Sequence, residues 1–182
     1  MKKALLIVFI LTGTAFSGFA QQLRDMHSFA VGLNYGVPFG DGSNQYSYMT
    51  GVTGKFEFPT KQNQLRVVVI SGLDIYAVKD PGKKGDKDAF IPVEFGARIG
   101  VNKFYFEGDA GLSISTNSPS SNYTGQALGI MYSPTIGYCL PVLDMQQLDF
   151  SIRYEGRTSS PGTLNVVALR VAYRFNFLKR NY

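Results

Sequence analysis

The stretch "FYFEGDAGLSIS" (104–115) decides the fold. Phe104, Phe106, Ala110, Leu112 and Ile114 alternate with Tyr105, Glu107, Asp109 and Ser113, which is the period of a β-strand with two unlike faces. One face is apolar. The other holds two acids and then shrinks to Gly111. Everything else turns on which face meets water.

Seven more stretches repeat the pattern. "HSFAVGLNYGVPF" sets Phe29, Val31, Leu33, Tyr35 and Val37 against Ala30, Gly32, Asn34 and Gly36. "YSYMTGVTGKFEF" sets Tyr46, Tyr48, Val52, Phe56 and Phe58 against Gly51, Thr53, Lys55 and Glu57. In "LRVVVISGLDIYAV" both faces are largely apolar, with Leu65, Val67, Val69, Leu73 and Ile75 opposite Arg66, Val68, Ile70, Asp74 and Tyr76. Its register is therefore weakly determined. "FIPVEFGARIGV", "QALGIMYSPTIGY", "LDFSIRYEG" and "NVVALRVAYRFNF" complete a set of eight.

The connections alternate as well. "GDGSNQ" (40–45), "KDPGKKGDKD" (79–88), "TNSPSSNYTG" (116–125) and "GRTSSPGT" (156–163) are polar and rich in Gly, Ser and Pro. "PTKQN" (59–63), "NK" (102–103) and "PVLDMQ" (141–146) are shorter. That rhythm predicts an all-β, eight-stranded, antiparallel up-and-down barrel with both ends of the strand series at the short-turn end.

A soluble barrel buries its apolar face; a transmembrane barrel turns that face to lipid. The polar face discriminates between them. It mixes isolated charges with many Gly, Ala and Ser residues. Small residues weaken a strand and gain nothing on a solvated exterior, whereas the bore of eight strands only just accommodates side chains. The opposite face is almost entirely Phe, Tyr, Val, Ile and Leu, and a closed barrel pairs every backbone group as lipid demands. The charged residues are accordingly expected inside: Glu57, Asp74, Glu94, Glu107, Asp109, Asp149 and Glu155 with Lys55, Arg66, Arg98, Arg153, Arg170 and Arg174. Seven acids face six bases, which suits a lumen filled by an Arg–carboxylate network. A narrow polar path is the functional alternative.

The N-terminus begins Met1-Lys2-Lys3, runs apolar through "ALLIVFIL" (4–11) and reaches small residues at Gly18 and Ala20. This reads as a cleavable secretory signal over 1–20, followed by one barrel domain over 21–182. The apolar run is short of the ~20 residues of a spanning helix. Removing Lys2 and Lys3 with the signal lowers the formal charge from +5 to +3, sixteen bases against thirteen acids. No long basic run exists, which argues against nucleic acid as a partner. Cys139, the single cysteine, rules out an internal disulfide and reads as a small hydrophobe, buried or facing lipid.

On "FIPVEFGARIGVNKFYFEGDAGLSIS" (90–115) and "ALRVAYRFNF" (168–177) the chain resembles the small outer-membrane β-barrels of the OmpA/OmpX type. It is similar more particularly to the "porin family" barrel domains common in Bacteroidetes. The resemblance implies location in the cell outer membrane, contact with its lipid, and insertion by the barrel assembly machinery, which reads an aromatic-ended last strand. Phe175 and Phe177 are followed here by "LKRNY", a departure that leaves Tyr182 as the other candidate signal. A peptidoglycan-binding domain of the OmpA kind is expected to be absent.

No enzyme or cofactor is expected. His27 is the only histidine and falls at the short-turn edge of strand one, so a Ser–His pair has no support. Asp80, Asp86 and Asp88 are interleaved with Lys79, Lys83, Lys84 and Lys87, which fits a solvated loop rather than a Ca²⁺ site. Glu107 and Asp109 lie ~7 Å apart on one strand face and read as salt-bridge partners before an acid/base pair. The expected role is a non-enzymatic surface barrel, with a possible extracellular ligand taken by loops 79–88 and 116–125, where Asn122 and Tyr123 are candidates. The alternatives are a small-solute pore and a soluble exported lipocalin-like barrel with an apolar ligand.

Overall fold

The computed structural model describes residues 26–61, 64–79, 87–116, 128–159 and 162–177. The signal expected over 1–20, most of the links 79–88 and 116–125, and the terminal "LKRNY" lie outside the described residues. So do Asp80, Asp86, Asn122 and Tyr123.

Eight strands follow one another: β1 (His27–Phe39), β2 (Tyr46–Pro59), β3 (Leu65–Val78), β4 (Lys87–Val101), β5 (Phe104–Ser115), β6 (Leu128–Leu143), β7 (Gln146–Ser159) and β8 (Gly162–Phe177). Each pairs antiparallel with its sequence neighbour, and β1 closes on β8 from His27↔Phe177 to Phe39↔Asn165. The expected up-and-down barrel is the fold. The stretch 104–115 is β5, which matches β4 residue for residue from Val101↔Phe104 to Phe90↔Ser115. The two-residue link between them turns at Asn102, whose φ of 59° lies in the left-handed region that asparagine tolerates.

The apolar face is outside. Leu33 and Ile130 are each 67% exposed and Phe95 62%, while Glu57, Glu94 and Asp149 are buried within the bore. The register of β3, open in the sequence, is set by its neighbours: Val67 and Leu73 face out, Val68, Ile70, Asp74 and Tyr76 face in. A strand apolar on both faces takes the phase of the partners that hydrogen-bond it.

Three expectations are corrected. Tyr46 points into the barrel and not outward beside Tyr48, because a bulge in the β2–β3 pairing inserts one residue between them and reverses the alternation. The link expected at 156–163 is mostly strand, since β7 runs to Ser159 and β8 begins at Gly162. Likewise β6 extends to Leu143, with a second bulge between Pro141 and Leu143, leaving Asp144–Met145 as the turn.

Candidate functional site in the barrel lumen

All eleven residues expected in the lumen network point inward on strands: Glu57, Arg66, Asp74, Glu94, Arg98, Glu107, Asp109, Arg153, Glu155, Arg170 and Arg174. Lys55 and Asp149 join them. Strand alternation brings them to the bore, and the antiparallel registers stack them in layers.

Nearest the short turns, Glu57 is the centre. Its carboxylate meets Arg98 Nη1 at 2.6 Å, Arg174 Nη2 at 2.5 Å, Arg66 Nε at 2.9 Å and Lys55 Nζ at 3.4 Å. Lys55 also reaches Glu107 at 2.9 Å and Asp149 at 3.7 Å, while Arg98 reaches Asp149 at 3.1 Å. Tyr105 donates its hydroxyl to Asp149 Oδ1 at 2.5 Å, and the Arg98 guanidinium stacks on the Tyr105 ring, 3.4 Å from its centroid. That ring lies over Gly137, where any Cβ would collide with it. The glycine on β6 is thus the seat of an aromatic on β5. Arg170 stands last in this group, 3.7 Å from Glu107.

Cys139 belongs here too. Its sulfur accepts from Arg98 Nη2 at 2.8 Å and from Arg174 Nη1 at 3.6 Å. It is a polar acceptor inside the bore, where the sequence suggested a small hydrophobe. Ser28 accepts from Arg174 Nε and Nη2 at 3.1 and 3.0 Å.

A second network lies further along the bore. Glu94 binds Arg153 and accepts from Ser133 at 2.5 Å. Arg153 Nε meets Glu155 at 3.2 Å, Glu155 meets Arg157 at 3.2 Å, and Arg157 binds Asp74. Among the described residues no ion pair joins this set to the first. Asp109 belongs to neither, and both its oxygens lack a hydrogen-bond partner.

At the long-link end the filling changes to rings and aliphatic groups. Tyr46, Met49, Tyr76, Phe90, Leu164, Val166 and Ala168 form one buried cluster. Tyr76 packs edge-on against both Tyr46 and Phe90, at centroid distances of 5.2 and 5.5 Å. Arg157 lies 5.3 Å from each of the Tyr76 and Phe90 centroids and so connects ions to rings.

Two of these residues were missed in the sequence. Arg157 was assigned to a link, although it continues the inward series Arg153, Glu155 by one more step. Asp88 was read as part of a solvated loop. It is the second residue of β4, buried, and accepts the Tyr46 hydroxyl at 2.5 Å. His27, at the rim, packs against Phe58 and Phe177. Among the described residues no cluster of three or more His, Cys, Asp or Glu could hold a metal ion.

No protein-family model matches the chain, and no curated protein does. Solved structures with the same fold do exist. Ail, the attachment invasion locus protein of Yersinia pestis, aligns at TM-score 0.55 and 14% identity over 84% of this chain and 99% of its own. The outer membrane protein Ail in a phospholipid bilayer nanodisc gives 0.53 and 15% over 81% and 99%. Neisserial surface protein A gives 0.53 and 15% over 83% and 97%. At such identities the likeness is one of fold. This chain has the architecture of those small eight-stranded barrels.

Proposed function

We propose that this chain is a non-enzymatic integral outer-membrane barrel, exported by a cleaved signal and inserted by the barrel assembly machinery. Its outer face lies in lipid, side chains close its lumen, and the links between β3 and β4 and between β5 and β6 make its surface contacts. The observation that carries this reading is the inverted distribution of polarity. Large apolar side chains such as Leu33, Phe95, Phe106, Ile130 and Leu169 are exposed around the whole barrel, while the charged residues of the strands, apart from the exposed Lys87 at the start of β4 and the half-buried Arg66, are buried in its bore.

In water, an apolar surface of that extent drives association; in lipid it is matched. The strands are 12–16 residues long, enough for the ~9–11 residues a tilted strand needs to cross the hydrocarbon. A closed sheet leaves no unpaired edge. Against a pore stand the two ion networks and the apolar cluster, which set buried side chains in the bore at both ends and between them. Against a soluble ligand-binding barrel stands the ionic interior, whose buried charges suit no apolar guest.

Envelope fractionation followed by gels of heated and unheated samples tests the placement. A membrane-bound band that migrates differently after boiling is expected. A soluble, heat-indifferent protein would contradict it. In planar bilayers the chain is expected to be electrically silent, and regular conductance steps would contradict the closed lumen.

A further inference from the structure

Two of the barrel's ladders are interrupted, and each break stands at a proline. On β3–β4 the pairing runs from Leu65↔Ile99 to Ser71↔Val93, skips Gly72 and Leu73, and resumes from Asp74↔Phe90 to Ala77↔Lys87. On β6–β7 it stops at Tyr132↔Gly156 and resumes at Thr135↔Arg153. Pro92 and Pro134 fall in these gaps and have no N–H to give. Both keep their places in the opposite ladder, as Pro92↔Ser113 and Gly108↔Pro134. Each missing donor therefore belongs to the broken one, and the carbonyls of Gly72 and Tyr154 receive no bond from the proline across from them.

The β6–β7 break is bridged on both faces. Inside, Arg153 Nη2 donates to Ser133 Oγ at 2.7 Å; outside, the Tyr132 and Tyr154 hydroxyls meet at 3.2 Å. The β3–β4 break is different. Its charged residues, Asp74 and Glu94, bind Arg157 and Arg153 of β7. Among the described residues no side-chain hydrogen bond or ion pair joins positions 70–75 to positions 89–94. Beyond the gap only four pairs remain, against thirteen unbroken on β1–β8. Tyr76 rests edge-on against Phe90, and the Tyr46 hydroxyl of β2 passes β3 to reach Asp88 of β4 at 2.5 Å. On either side the ladders are whole, from Tyr48↔Ala77 to Pro59↔Arg66 on β2–β3 and throughout β4–β5.

We infer that the long-link half of β3–β4 is a lateral seam at which the barrel wall parts, with the Tyr46–Asp88 hydrogen bond as its latch. Opening moves β3, carried by β2, away from β4, carried by β5. It bares the inward-facing Asp74 and Tyr76 to the medium outside the wall. A bond absent from the closed state is not lost on opening, so parting the strands costs least here. The seam follows from the fold alone and does not depend on placement in a membrane.

Amide hydrogen exchange of the full folded chain in a zwitterionic detergent, read residue by residue by NMR, tests it. Successive N–H groups of a strand face opposite neighbours, so each strand carries its own control. Those of Asp74 and Phe90 lie across the seam; those of Ile75 and Ile91 face the whole ladders. Asp74 and Phe90 are expected to exchange roughly ten-fold faster, the equivalent of one hydrogen bond. Equal protection overturns the seam. Tyr46→Phe keeps the ring and removes the latch; it is expected to speed exchange at Asp74 and Phe90 and leave Ile91 unchanged, and unaltered rates overturn the latch. Pro92→Ala restores the N–H and is expected to slow both amides towards their neighbours. No slowing in the folded variant overturns the assignment of the break to Pro92.

Discussion

The two ends of the lumen are built on the same strands and filled in opposite ways. β2 sends Lys55 and Glu57 into the ionic end and Tyr46 and Met49 into the apolar end; β3 sends Arg66 to one and Tyr76 to the other. The ionic end is held by particular partners, each placed to satisfy a charge removed from water. The apolar end is held by volume and ring packing. Removing one group should therefore cost most where partners are specific, less where atoms are merely lost, and least where a charge has no partner at all.

The largest effect is expected for Glu57→Gln, which takes the shared carboxylate from Arg66, Arg98, Arg174 and Lys55. Breaking one side of a buried ionic cluster costs about 3–5 kcal/mol, visible as a lower urea midpoint for the heat-shifted folded band. An unchanged midpoint would show that the ion pairs do not hold the barrel. Phe90→Ala, in the apolar cluster, should cost about 3 kcal/mol. It should also turn electrical silence into brief small openings, because its ring helps close the long-link mouth. A silent Phe90→Ala chain would place the barrier in the ionic half instead.

Cys139→Ser should shift stability by no more than about 1 kcal/mol, since a hydroxyl oxygen also accepts from Arg98 and Arg174. The smallest loss is expected for Asp109→Asn. Its carboxylate has no hydrogen-bond partner, so removing the charge should be neutral or mildly stabilising. A loss as large as that of Glu57→Gln would reveal a partner for Asp109 and merge the two networks.

The fold was legible because the alternation persists through eight stretches and the small residues fall on the charged face. β5 needed nothing beyond its own twelve residues. What escaped has a common cause: the ends of strands. Tyr46 changes face at a bulge, which is a local departure of one strand from its partner and leaves no trace in periodicity. Asp88 and Arg157 sit in Gly- and Lys-rich or Ser-rich stretches whose composition resembles a loop, yet the pairing Tyr76↔Asp88 continues the sheet through one of them. The division of the lumen into two ion networks was also hidden, because it depends on which layers meet across the bore and not on any spacing along the chain.

The inverted barrel itself is tested most directly by a single tryptophan. The chain has none, so Leu33→Trp, on the outer face of β1, reports its surroundings without background. In liposomes containing brominated phospholipid the emission is expected to be blue-shifted and strongly quenched by the lipid, and indifferent to aqueous iodide. Emission quenched by iodide and untouched by brominated lipid would put Leu33 in water and contradict the account.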